Sequence, residues 1–109
     1  MRANVGEAFE QAKKDYETGR WSKAFRYFKE SLKDTVRVSE VRILMARCLL
    51  EIGEPDKAEA ELKNARQVLG EKDQEMLAAF EEAWRLLHDT RRLTPRELEE
   101  RRRKANENN

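Results

Sequence analysis

Cysteine and histidine each occur once in this 109-residue chain, as Cys48 and His88. A lone thiol cannot close an intramolecular disulfide, so a reducing, cytoplasmic setting is expected. One cysteine and one histidine also fall short of a zinc ligand set, and no Gly-rich phosphate loop is present. Neither a metal nor a cofactor is expected, and nothing resembles a catalytic constellation. Cys48 reads as a packing residue in mid-helix and His88 as a surface or capping residue near a helix end. Paired carboxylates are frequent, but a chain that is 41% charged supplies them as ordinary surface. No apolar run approaches membrane-spanning length, and residues 1–10 lack the basic start and apolar stretch of a signal peptide. Formal charge is only +1, which removes any global electrostatic preference. Glycine and proline are scarce too, at four and two residues, so the chain has few places to break regular structure.

What is abundant is Ala, Leu, Glu, Lys and Arg, the composition of a helical protein. Apolar residues recur at helical spacing and predict five helices. The first spans about residues 4–18, with Val5, Phe9, Ala12 and Tyr16 on one side and Gly19 as terminator. Ser22 is expected to cap a second, residues 23–32, and Ser39 a third, residues 39–52, ended by Gly53. Pro55 suits the first turn of a fourth helix over residues 56–69, with Gly70 closing it. Asp73 is expected to start a fifth, to about residue 89. Beyond it the pattern thins. Thr94-Pro95-Arg96-Glu97 forms a capping box, but only Leu98 and Ala105 are apolar behind it. Residues 91–109 hold seven Lys/Arg and four Asp/Glu, net +3, against net −2 for the first ninety. This segment is expected to be a frayed basic helix with a disordered end at residues 106–109.

Two stretches superimpose at an offset of 34 residues: Ala12, Gly19, Ala24 and Phe28 recur as Ala46, Gly53, Ala58 and Leu62. A unit of this length cannot bury its own apolar face and must stack on a neighbour. The small–Gly–Ala–large ladder resembles the tetratricopeptide repeat. The resemblance implies an all-α, right-handed superhelical stack of antiparallel helix pairs occupying residues 1–90, with repeat one at 4–36 and repeat two at 39–70. Residues 73–89 would form a capping helix or degenerate third repeat. Its register is open: Ala79-Phe80-Glu81-Glu82-Ala83 echoes Ala8-Phe9-Glu10-Gln11-Ala12, whereas strict counting puts Met76 and Phe80 on the ladder. Departures from the family pattern are Val36 and Gly70 in place of a closing proline, and Gln11 and Asp15 where apolar residues are usual. That polar pair is expected to face solvent as an end cap.

The resemblance also implies a function, non-catalytic binding of a partner peptide or helix in the concave groove formed by the first helix of each pair. Carried onto this chain, the groove residues are Phe9, Lys13, Tyr16, Ile43, Arg47, Leu50, Leu77, Phe80 and Trp84, with Glu40 beside them. Lys13 and Arg47 would be cationic handles, favouring an amphipathic helix with acidic residues, and Trp84→Ala is expected to cost about 2 kcal/mol in binding. A clamp for a C-terminal carboxylate is not expected, because Phe9 and Leu44 stand where further clamp residues would be. Apolar residues at helical spacing equally suit a core, and the groove could instead be filled by the chain's own tail or by a second copy in a homodimer. The basic tail offers a third reading, binding of nucleic acid or an acidic surface, but glutamates interleave with its arginines and no aromatic is present there for base stacking, which ranks it below the other two.

Overall fold

The computed structural model describes residues 5–33 and 35–107, all of whose regular structure is helical. Six helices follow one another: α1 Val5–Glu17, α2 Trp21–Ser31, α3 Val38–Ile52, α4 Pro55–Val68, α5 Gln74–Arg91 and α6 Pro95–Glu107. Helices α1 and α2 pack as one hairpin and α3 and α4 as another, α2 packs on α3, and α5 lies against both α3 and α4. No helix among the described residues is long and apolar enough to cross a membrane.

The two hairpin turns are built identically. Gly19 and Gly53 adopt φ of 75° and 87°, the left-handed region where a Cβ is costly. The following amides reach back to the last helical carbonyls, Arg20 N–H to Asp15 O at 2.8 Å and Glu54 N–H to Leu49 O at 2.8 Å. With Gly19 N–H to Tyr16 O at 3.2 Å and Gly53 N–H to Leu50 O at 3.1 Å, each pair of bonds satisfies carbonyls that a helix end would otherwise leave orphaned. The same turn sets the start of the next helix. Ser22 does not cap α2, nor Ser39 α3: both helices begin earlier, after Arg20 and Arg37, with no side-chain cap. Asp73 does cap α5, accepting from Met76 N–H at 3.2 Å, and Pro55 occupies the first turn of α4. Gly70 does not close α4, which stops at an extended Leu69.

The ladder residues form the core. Ala12, Ala24, Phe28, Ala46, Ala58 and Leu62 are all fully buried. Small side chains let paired helices approach closely, and the large ones fill the space between pairs. Phe9, Phe28, Val41, Met45 and Cys48 gather around Ala12 and Ala24 in one cluster. Ile43, Leu49, Leu50, Leu62 and Leu87 gather around Ala46, Ala58 and Ala83 in a second. Helix α3 contributes to both. Ala83 is buried as completely as Ala12 and Ala46, which favours the Ala79–Ala83 echo as the register of α5, with three residues inserted before it.

Two expectations need correction. Gln11 faces solvent, but Asp15 is only 3% exposed. It accepts a long hydrogen bond from Gln11 and lies beneath the Arg20 guanidinium, 4.0 Å away. The basic tail forms a capped helix. Thr94 and Glu97 exchange backbone-to-side-chain hydrogen bonds at 2.9 and 3.2 Å, and α6 continues through Asn106 and Glu107. Of the end expected to be disordered, Asn106 and Glu107 are helical and residues 108–109 lie outside the described residues. Nor does α6 fold back on α5 as the second helix of a third pair. It packs along α3 and the start of α2, burying Ala105.

Candidate partner-binding groove

The inner faces of α1, α3 and α5 meet in an open cavity of about 270 Å³. Tyr16 enters from α1, Arg47, Leu50 and Glu51 from α3, and Leu86, Asp89 and Thr90 from α5; Leu93 of the α5–α6 link and Arg101 of α6 close one end. Tyr16 is held by edge-to-face contacts with Trp21 and Phe28, at centroid distances of 5.3 and 6.3 Å. Burial pushes its phenol pKa up, opposed by the nearby Arg47 charge. The Arg47 guanidinium lies 5.9 Å from the Tyr16 ring centroid. It makes no ion pair with any described residue. A half-buried guanidinium resting on an aromatic face, with its donors unspent, is suited to a carboxylate from outside.

Of the residues expected in the groove, the structure brings Tyr16, Arg47 and Leu50 together. Ile43 is 3% exposed and belongs to the core. Phe9 is also buried, its ring covered by Lys13 Nζ at 5.8 Å and the Arg37 guanidinium at 5.2 Å. Lys13 is thereby turned to Phe9 and away from the cavity. Leu77, Phe80 and Trp84 follow one stripe of α5, on a different side from Leu86 and Asp89. Phe80 stacks on Trp84 at 5.8 Å and 22°, and Trp84 meets His88 edge-on at 5.7 Å. Trp84 follows Ala83 as Arg47 follows Ala46 and Lys13 follows Ala12. Arg47 has α5 beside it to form a cavity wall, whereas Trp84 stands on the last helix of the stack. The α5 residues that do line the cavity, Leu86, Asp89 and Thr90, were legible only once Ala83 had fixed the register.

The remaining chemistry is quiet. Cys48 is buried, and desolvation pushes its thiol up to about 12, well away from a reactive thiolate. No cluster of His, Cys, Asp or Glu among the described residues could hold a metal ion. Several tail cations are already engaged: Arg91 pairs with Asp56 and Glu59, and Arg102 with Glu54 and Glu99.

Comparison with curated proteins and with solved structures gives no significant match. A family model does match, that of the tetratricopeptide repeat, over residues 15–87. That span contains α2, α3, α4 and most of α5, together with both glycine turns and all but one of the ladder residues. With stacked hairpins, a repeated left-handed glycine turn and a buried small–large ladder, the chain belongs to the tetratricopeptide repeat family.

Proposed function

We propose that this protein is a non-catalytic protein–protein interaction module whose groove takes an amphipathic partner helix or peptide bearing an acidic residue. The observation that carries the reading is Arg47, poised on Tyr16 without a carboxylate partner at the rim of a cavity with apolar walls at Leu50 and Leu86. An apolar anchor could seat between those leucines while a carboxylate from the same partner meets the guanidinium. Tetratricopeptide repeats generally mediate protein–protein contacts, which agrees with this reading. Peptide display against wild type and Arg47→Glu tests it. Wild type should enrich apolar sequences with Asp or Glu at a fixed spacing, and the variant should lose them or prefer Lys and Arg. Enrichment of the same sequences by both proteins would overturn it.

A second reading, homo-oligomerisation, is favoured by one separate observation. Phe80 and Trp84 form a stacked, partly exposed pair on α5, the last helix of the repeat stack. Sedimentation of wild type against Trp84→Glu distinguishes the two: a dimer that dissociates in the variant supports self-assembly, and a monomer in both removes it.

A further inference from the structure

The docking of α6 is unlike every other helix contact in the molecule. The other helices meet through buried alanines, leucines and aromatics. Helix α6 buries Ala105 and half-buries Leu98, and is otherwise attached by arginine. Arg101 Nη1 donates to Leu50 O at 2.9 Å, and Arg102 Nε donates to Gly53 O and to Glu54 Oε1, both at 3.0 Å. The carbonyls lie at the α3 C-terminus, where the helix dipole favours cations; Leu50 O also accepts from Gly53 N–H at 3.1 Å and takes Arg101 on its second lone pair. Gly53 makes the approach possible: a Cβ there would lie 2.6 Å from Leu98 O and 3.1 Å from Arg101 Cβ.

We propose that α6 is a detachable latch on the groove, docking over the Gly53 turn to close the cavity's end and swinging clear as a unit to admit a partner. The proposal rests on the groove reading for its purpose, though the movement itself does not. Three features support it. First, the apolar area holding α6 is small, so the hydrophobic contribution to docking is small, and such elements lie at the low end of local stability. Second, what makes α6 a helix is internal to it. The Thr94–Glu97 capping box, the Glu99–Arg102 pair at 3.3 Å and the Glu100–Lys104 pair at 3.9 Å all survive release. Third, only residues 92–94 connect α5 to α6, and the two helices are not packed together along their length. The short tether keeps the latch closed at rest through its high effective concentration, while leaving a pivot outside any core.

Release would remove Arg101 from the cavity wall and uncover Trp21, Glu51 and the Leu50 carbonyl. The cavity beside Gly19, Trp21, Ser22 and Glu51, now walled by Arg101, Lys104 and Ala105, would join the first. The groove then lengthens toward the α1–α2 turn, which suits a helix better than the present short cavity.

Native-state hydrogen exchange on the full chain, with no partner present, tests the latch. Once undocked, a 13-residue helix is only marginally stable and its amides open readily, so those of α6 should exchange as one group, about tenfold or more faster than those of Ala46, Cys48 and Leu49. The double variant Arg102→Glu/Ala105→Glu lies wholly on α6, and it should speed α6 exchange a further tenfold or so while leaving α3 unchanged. In a Trp84→Phe background, Trp21 emission should shift red and become more quenchable by acrylamide in that variant. Equal protection of α6 and α3 in the wild type would overturn the proposal, as would loss of α3 protection along with α6. Because no partner enters the measurement, its failure leaves the Arg47 display experiment to decide the groove separately.

Discussion

Gly19 and Gly53 occupy the same place in the two hairpins, share a left-handed φ and terminate their helices with the same pair of backbone bonds. They differ in what stands over them. A Cβ on Gly19 would meet nothing nearer than a Trp21 ring carbon at 4.0 Å, whereas on Gly53 it would run into the backbone of α6. The first glycine is required by conformation alone, the second by conformation and by a neighbour. One repeat position thus carries two duties in one copy and a single duty in the other. An alignment of the copies cannot show this, because the second duty comes from a helix outside the repeat.

The largest effect should separate the two glycines directly. Gly53→Ala should destabilise the protein by on the order of 2–4 kcal/mol, against about 1–2 kcal/mol for Gly19→Ala, where only the left-handed strain applies. Urea denaturation of both variants measures the gap, and equal losses would break the comparison. A smaller effect sharpens it. In a background carrying Arg102→Glu/Ala105→Glu, where α6 no longer presses on the turn, the Gly53→Ala cost should fall to that of Gly19→Ala. A cycle of these variants reads the coupling between turn and latch. The smallest effect concerns acid. Backbone and side-chain hydrogen bonds from Thr94 hold the Glu97 carboxyl below the usual carboxylate range. A lowered folded pKa contributes stability above the unfolded value, and that contribution is lost as pH falls through the folded value. Exchange protection in α6 should therefore drop below about pH 4, and Glu97→Gln, which removes the titrating carboxyl, should flatten that dependence while α3 stays protected.

The helix pairs were legible in the sequence because their geometry demands it: a close crossing admits only alanine, and a left-handed turn favours glycine. Ala12, Ala46, Gly19 and Gly53 declare the architecture without any knowledge of contacts. Docking of α6 was not legible, since hydrophobic periodicity counts apolar residues and Leu98 and Ala105 are too few to register. What holds α6 is a match between arginine donors and helix-end carbonyls, and backbone carbonyls have no letter in a sequence. Groove residues fell between these cases. Tyr16, Arg47 and Leu50 follow from the repeat, but Phe9 and Ile43 lie in the core, and α5 could be read in two registers until Ala83 was seen to be buried. Asp15 shows the reverse failure, a charged residue buried within reach of Gln11 and Arg20.

Helix α3 has consequences beyond the site it lines. Its Met45 and Cys48 serve one cluster while Ile43, Ala46 and Leu50 serve the other, so no plane divides the repeat body into independent halves. Strain introduced beside Phe28 is felt beside Leu62 through a single rod of five backbone turns or fewer. A body with that wiring is expected to melt in one step, and a disturbance on either flank should register at Arg47, which rides on the shared helix.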